Sequence, residues 1–156
     1  MPTLNWSEAL ELGEPLMDDT HREFVELLAQ ARASDDAGLL PAWKTLIEHT
    51  EAHFGQEDAW MRSTRFSASN CHTLQHRMVL QVMHEGTRRA EQGDIMPIRL
   101  MGRELAMWFP QHAQSMDASL AAHLRRLGFD PETGAMSAPH ELPAQEIHGC
   151  GGATCS

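Results

Sequence analysis

Hydrophobic residues recur along most of the chain at the three- and four-residue spacing that is typical of amphipathic helices. The first such run contains Phe24, Val25 and Leu28 and follows residues 18–20, whose side chains favour a helix start. No segment alternates strictly between polar and apolar residues, as a half-buried strand does. The pattern therefore predicts an all-α protein.

The same spacing predicts three further helices. The second helix is expected to begin near Pro41, and Asn70 can cap a third helix that ends before Gly93. The fourth is predicted over residues 97–126, with a local kink at Pro110, which has no N–H to donate. Four helices with short connections indicate an up-down-up-down four-helix bundle.

The two ends of the chain lack this periodicity. Residues 1–17 are expected to form an extended N-terminal arm, and residues 131–156 are rich in Gly, Ala, Pro and polar residues. We therefore expect one domain over residues 1–130, followed by a mobile C-terminal tail over residues 131–156. A chain of 156 residues also has the usual size of a single domain.

Composition narrows the expected partners and location. The chain has 12 Lys and Arg against 22 Asp and Glu, a net charge of −10, which disfavours binding to nucleic acid or to an anionic membrane surface. No apolar run approaches the ~20 residues of a membrane span, and we expect no secretory signal. Three cysteines are too few for a disulfide scaffold, so we expect a cytoplasmic protein in which Cys71 is a buried small residue.

Ionisable residues interrupt the apolar faces of all four predicted helices. Burying a charged side chain without a partner is costly, so such residues are usually paired or bound to a metal ion. The residues on these faces are His21, His53, Glu57, His72, His76 and His112. Their shared placement favours a metal site in the core of the bundle.

Spacing along the helices supports this interpretation, although each feature has a simpler explanation when taken alone. His53 and Glu57 are four residues apart, as are His72 and His76, so each pair projects from one helix face. A pair such as His53 with Glu57 also occurs on wet surfaces, and His21 alone would suit a hydrogen-bonded core histidine. Their occurrence together on successive helices favours the metal site over these alternatives.

The number of candidate ligands indicates more than one metal ion. His112 and Asp117 are five residues apart, roughly 140° around an ideal helix, so we do not expect them to chelate one ion side by side. They could instead reach two neighbouring ions or approach one pair of ions from different sides. Five histidines and two carboxylates exceed the needs of one tetrahedral zinc and suit two ions that share carboxylate bridges. The sequence contains no Glu-x-x-His motif, which excludes the usual ferritin-like di-iron pattern.

These residues resemble the hemerythrin family, and within it the single-domain bacteriohemerythrins. The resemblance covers residues 4–128, and all seven ligand positions of the family pattern are filled. It rests on four elements, namely Asp-Asp-Thr-His21, His53-x-x-x-Glu57-x-x-x-Met61, His72-x-x-x-His76 and Trp108-x-x-x-His112-x-x-x-x-Asp117. The resemblance implies a four-helix bundle with a non-haem di-iron centre that binds O2 reversibly.

The same resemblance divides the ligands between two iron ions. The iron held by two histidines would keep an open position for O2, and a hydroxide or oxide would complete the bridge between the ions. The resemblance assigns His72, His76 and His112 to one iron, His21 and His53 to the other, and Glu57 and Asp117 to the bridge.

The residues expected beside the open position are Trp108, Phe109 and Met61. Phe109 departs from the family, which usually has a smaller aliphatic residue there. The implied role is O2 carriage, storage or sensing rather than catalysis, although the same centre is compatible with a secondary oxidase or peroxidase activity. The alternative is a di-iron enzyme that acts on peroxide, nitric oxide or Fe(II). The sequence indicates no protein partner.

The remaining histidines are not expected to be ligands. We expect His49, one turn before His53, to be partly exposed, and His84 and His123 to lie at the surface. Three residues of the tail could trap a metal or form a redox pair, but we expect the tail to take no part in the metal centre. They are His148, Cys150 and Cys155.

Overall fold

The computed structural model describes residues 3–66 and 70–147, and all of its long elements are helices. They are α1 (Pro15–Ala33), α2 (Asp36–Ser63), α3 (Cys71–Glu91), α4 (Met96–His112) and α5 (Ala118–Arg126). The π-helical segment Ala113–Asp117 joins α4 to α5, so the three form one fourth rod. Each rod packs against the next, and α4 closes against α1. The predicted all-α four-helix bundle is confirmed.

The starts of the helices follow from local capping chemistry. Asn70 caps α3 as predicted, since its side chain accepts a hydrogen bond from the N–H of Thr73 at 2.9 Å. The first helix begins three residues before the expected start at residue 18, with Pro15 in its first turn. The carboxylate of Asp18 then accepts hydrogen bonds from the N–H groups of Leu12 and Gly13, at 2.8 and 3.2 Å, which holds the preceding loop against α1.

The second helix begins earlier than Pro41, near which it was expected to start. The side chain of Asp35 accepts a hydrogen bond from the N–H of Gly38 at 2.8 Å and caps α2 at Asp36. Pro41 therefore lies inside α2. An aspartate at the cap position outweighed the preference of proline for a first turn.

The hydrophobic core consists of two clusters, one towards each end of the bundle. The first contains Phe24, Leu28, Trp43, Leu46, Ile98 and Phe109, and the second contains Met17, Trp60, Met61, Phe66, Leu120 and Leu124. Along α1, α2 and the fourth rod, the candidate metal ligands lie between residues of the first cluster and residues of the second. The polar centre is therefore enclosed by apolar packing at both ends.

The expectation that His123 lies at the surface is wrong. Its side chain is buried, and its Nε2 lies 2.9 Å from the carbonyl oxygen of Thr64, to which it can donate. The ring also packs against Phe66, with centroids 5.0 Å apart, and burial lowers the pKa of His123. Helical spacing could have predicted this burial, because His123 lies three residues after the buried Leu120 and four before the buried Leu127.

Residues 131–147 lie against the bundle. Met136, Leu142 and Ile147 pack on the second core cluster, and the N–H of Ile147 donates to the carbonyl of Arg65 at 2.9 Å. Phe129 and Met136 form an isolated antiparallel bridge. The boundary placed after residue 130 stays a prediction, and the tail residues His148, Cys150 and Cys155 lie outside the described part of the chain.

Two further expectations concern the cysteines and the membrane. Cys71 is half-buried, so the expectation of a buried small residue is wrong, and it is disulfide-bonded. The apolar context of α3 gave no indication of this bond. Among the residues that the structure describes, no helix combines the length and the apolar character needed to cross a membrane.

A chain that ends after Asp130 should keep its metal content but lose thermal stability. All seven candidate ligands precede this point, whereas the truncation uncovers Leu127 and Phe129 of the second cluster. Metal analysis and the unfolding midpoint check this expectation. A matched chain that ends after Ile147 should have an unfolding midpoint close to that of the full-length protein. All chains are compared with a reductant present, so that the disulfide bond of Cys71 does not contribute. Loss of metal from the shorter chain would contradict the prediction.

Candidate metal centre

The π-helical segment places two candidate ligands together that an ideal helix would separate. Hydrogen bonds in a π-helix join residues five apart, and the N–H of Ala118 bonds to the carbonyl of Ala113 in this way. His112 and Asp117 consequently lie on the same side of the rod, with Nε2 and Oδ1 3.1 Å apart. The expectation that they would not lie side by side assumed uninterrupted α-helical geometry, and the contact between the two side chains contradicts that geometry.

The seven predicted ligands converge at the centre of the bundle in two groups that share both carboxylates. Within each group, one ligand atom from every residue lies within 4.8 Å of the others. The three-histidine group contains His72, His76, His112, Glu57 and Asp117. The two-histidine group contains His21, His53, Glu57 and Asp117. No side chain of the seven is more than 3% exposed.

Several polar atoms in the cluster point at one another without forming hydrogen bonds. Nε2 of His72 lies 2.8 Å from Oδ1 of Asp117, yet neither atom has a hydrogen-bond partner among the described residues. The same holds for Nε2 of His76 and of His112 and for Oε1 of Glu57. Buried polar atoms are rarely left unpaired. Converging nitrogen and oxygen lone pairs fit a set of metal ligands, so the residues present suit bound metal ions.

The electrostatics of the cluster favour positive charge at its centre. Burial opposes ionisation of both carboxylates, yet the surrounding histidines hold the pKa of Glu57 and of Asp117 well below its usual range. Burial also opposes protonation of the imidazoles, but the carboxylates raise the pKa of His21 to about 10 and that of His72 to about 9. Two buried negative charges therefore need cations beside them, and metal ions can supply that charge.

Aromatic rings enclose the cluster on several sides. Phe109 meets the ring of His21 edge-on, with centroids 5.2 Å apart, and packs on Phe24 at 4.7 Å. Phe54 stacks on His76 at 3.9 Å with an interplanar angle of 4°. These contacts fix the planes of the imidazole rings and keep the site apolar around its polar centre.

The three residues expected beside an open position do not share one environment. Phe109 contacts the two-histidine group through His21. Trp108 instead stacks on His112 of the three-histidine group, with centroids 4.4 Å apart. Met61 belongs to the second core cluster, where its sulfur lies 3.4 Å from the side-chain nitrogen of Asn70. Of the three, Phe109 alone has a described ring contact with the two-histidine group.

Two polar residues that support the ligands were missed by sequence reasoning. Asp58 lies 2.8 Å from Nδ1 of His76, and Gln75 lies 3.1 Å from Nδ1 of His112. Each contact joins two different rods, so it depends on how the helices are aligned relative to each other. Spacing within one helix carries no signal for such a contact.

The other histidines lie away from the cluster centre. His49 is half-buried, as expected, and its Nε2 lies 3.1 Å from a carboxylate oxygen of Glu23. His84 is exposed, as expected, and its Nε2 lies 2.6 Å from Glu51. Neither belongs to the two candidate metal-binding groups.

The fold and the cluster define a four-helix bundle built around a buried histidine–carboxylate cluster that could hold metal ions. The chain matches the Hemerythrin HHE cation binding domain over residues 12–141. Because this match covers most of its length, the chain belongs to the hemerythrin family.

Curated relatives agree with this membership. A bacteriohemerythrin of Ralstonia nicotianae is 38% identical over 130 residues, which cover 83% of this chain and 95% of the relative. A bacteriohemerythrin of Pseudomonas aeruginosa is 23% identical over 129 residues, covering 80% of this chain and 84% of the relative. A third, from Stenotrophomonas maltophilia, is 22% identical over 142 residues, covering 86% and 92% respectively. No solved structure shows significant similarity to the chain.

Replacing Glu57 or Asp117 with Ala should abolish most metal binding, because each carboxylate belongs to both groups. Any ions that still bind would leave buried positive charge uncompensated, which should lower the free energy of unfolding by about 3–5 kcal/mol. Metal analysis of the purified variants and their unfolding midpoints test this. Glu48→Ala, at an exposed position of the same helix, is the matched control. Normal metal content in both single variants would show that the carboxylates are not ligands.

Proposed function

We propose that this chain binds O2 reversibly at a pair of non-haem iron ions, and that it serves in O2 carriage, storage or sensing. The observation that supports this most is the unequal division of the ligands. One group offers three histidines and the other two, and both include the same two carboxylates. An ion in the two-histidine group would have fewer protein ligands and room for a small molecule.

In the proposed centre, His72, His76 and His112 hold one iron and His21 and His53 hold the other. Glu57 and Asp117 bridge the two ions, since each lies within reach of both sets of histidines. Two ferrous ions supply the two electrons that reversible O2 binding draws on. The comparisons with bacteriohemerythrins support this assignment.

The surrounding residues act by excluding water and fixing geometry. Phe24 and Phe109 pack together beside His21 and are buried at 1% exposure each, so they present an apolar wall to the two-histidine group. A dry wall suits reversible binding of a neutral diatomic molecule, because water and anions that displace it are kept out. The chain's contribution is therefore an enclosed apolar pocket around a charged centre.

The cytoplasm is the location that we propose with this function. The composition supports it, whereas a disulfide such as that of Cys71 is more usual in oxidising compartments. The absence of a nucleic-acid or membrane partner stays a prediction from the negative net charge.

The direct experiment is an optical spectrum of the anaerobically reduced, iron-loaded protein before O2, after O2 and after O2 is removed again. We expect two irons per chain by metal analysis and a visible absorption that appears with O2 and disappears on its removal. A chain that holds about one zinc ion and no iron would contradict the di-iron proposal. Irreversible oxidation at the first exposure to O2 would favour the enzymatic alternative.

Replacing Phe109 with Ala should shorten the lifetime of the oxygenated protein. The variant opens a cavity beside His21 through which water can enter, and loss of a buried phenyl ring costs roughly 3–5 kcal/mol of stability. The decay of the visible absorption in both proteins measures the effect.

Phe66→Ala is the matched control for this substitution. Phe66 is a buried phenylalanine of the second core cluster, so its loss should lower stability without changing the decay. A wild-type complex that decays within seconds, no more slowly than the Phe109 variant, would overturn the proposal of a reversible carrier.

A further inference from the structure

Two of the three imidazole rings of the three-histidine group, those of His76 and His112, are supported by hydrogen bonds from outside the cluster. Nδ1 of His72, the third, is buried and has no hydrogen-bond partner among the described residues. Nδ1 of His76 lies 2.8 Å from Oδ1 of Asp58, whose side chain is 34% exposed. A carboxylate can only accept here, so Nδ1 carries the hydrogen and Nε2 is left with its lone pair toward the cluster. Asp58 therefore fixes both the tautomer and the plane of His76.

Gln75 provides the corresponding support for His112. Its Oε1 lies 3.3 Å from Nε1 of Trp108 and 3.1 Å from Nδ1 of His112. The indole N–H can only donate, so the amide presents its oxygen to both rings. Nδ1 of His112 must then also donate, which leaves Nε2 of His112 free to bind a metal ion. The orientation of one amide thus follows from the tryptophan beside it.

The two-histidine group has no comparable support. Nδ1 of His21 and Nδ1 of His53 are buried and have no hydrogen-bond partner among residues 3–66 and 70–147. The rings packed against this pair are those of Phe109, Phe24, Phe54 and His49. The described carboxylates that contact the pair, Glu57 and Asp117, meet the Nε2 atoms that face the cluster. From outside the cluster, only ring packing orients the two imidazoles.

We propose that the two metal positions fill in a fixed order, the three-histidine position first, and that Asp58 and Gln75 are the positioning residues that set this order. The inference rests on the proposed function. Partners of this kind typically change metal affinity 10- to 100-fold. The first ion also engages Glu57 and Asp117, so the second binds to two unsupported histidines and to carboxylates that are already shared.

A consequence for O2 binding follows from this order. The position with room for a small molecule is also the one that releases its ion first. Removal of half of the total metal should therefore leave a one-ion protein that no longer binds O2. The amount of O2 that the protein binds would then depend on how fully metal occupies the two-histidine position.

Anaerobic calorimetric titration of the metal-free, full-length protein with Fe2+ tests the proposal, and Co2+ provides an absorption spectrum of each step. We expect two steps whose dissociation constants differ by about tenfold or more. Asp58→Ala and Gln75→Ala should each weaken binding at the three-histidine position by about 10- to 100-fold, so that the two steps draw together or exchange order, while affinity at the two-histidine position stays nearly unchanged. Asp58→Asn keeps an acceptor for Nδ1 and should restore part of the loss.

Glu51→Ala is the matched control, because Glu51 on α2 also pairs with a histidine of α3, His84, but outside the cluster. It should bind both ions as the wild type does. Circular dichroism of the metal-free variants verifies that they fold. Because Asp58 and Gln75 lie on different helices, their two variants test the proposed order independently.

The outcomes separate this inference from the proposed function. Two ions that bind in one step of equal affinity, or an Asp58→Ala variant that matches Glu51→Ala, would overturn the fixed order and leave the di-iron function intact. Binding of only one ion in total would contradict the di-iron function itself.

Discussion

Two carboxylates at the centre of the bundle, Glu57 and Asp117, impose the constraint on which the rest of the structure depends. Both are buried and ionised, and a negative charge is tolerated in such a place only if cations and polar groups surround it. Histidines from every rod supply those groups. The two apolar clusters at either end then seal the centre from water. The two buried charges therefore account both for the histidines around them and for the apolar packing at either end.

Much of this arrangement could be predicted from the sequence. Helical periodicity identified four rods, and the ionisable residues on their apolar faces identified six of the seven members of the two groups. Asp117 was added as a candidate five residues after His112, and the roles of all seven as ligands remain proposals. The reason is physical, since a buried carboxylate without a partner is too costly to occur by accident. His123 was wrongly expected at the surface because a histidine in the last turn of a helix is usually exposed, although its spacing from Leu120 and Leu127 is that of a core residue.

The features that escaped prediction depend on contacts between rods or on departures from ideal helical geometry. Asp58 reaches His76 across α2 and α3, and no spacing within α2 encodes that reach. The widened turn between His112 and Asp117 is likewise not readable from spacing, which by itself suggested that the two side chains diverge. Sequence patterns thus identify which residues are buried more readily than which atoms meet.

The π-helical segment also limits how this family member can change over evolutionary time. Gln114 and Ser115 lie within it and are exposed, and the side chain of Gln114 donates a hydrogen bond to the carbonyl of Ala9 at 3.1 Å. The number of residues between His112 and Asp117 affects the site more directly than the identity of these two residues. Deleting one would leave the two ligands four residues apart, on one face of an ordinary α-helix, whereas inserting one would leave them six apart, about 240° around the rod. This stretch of the rod should therefore accept a deletion more readily than an insertion.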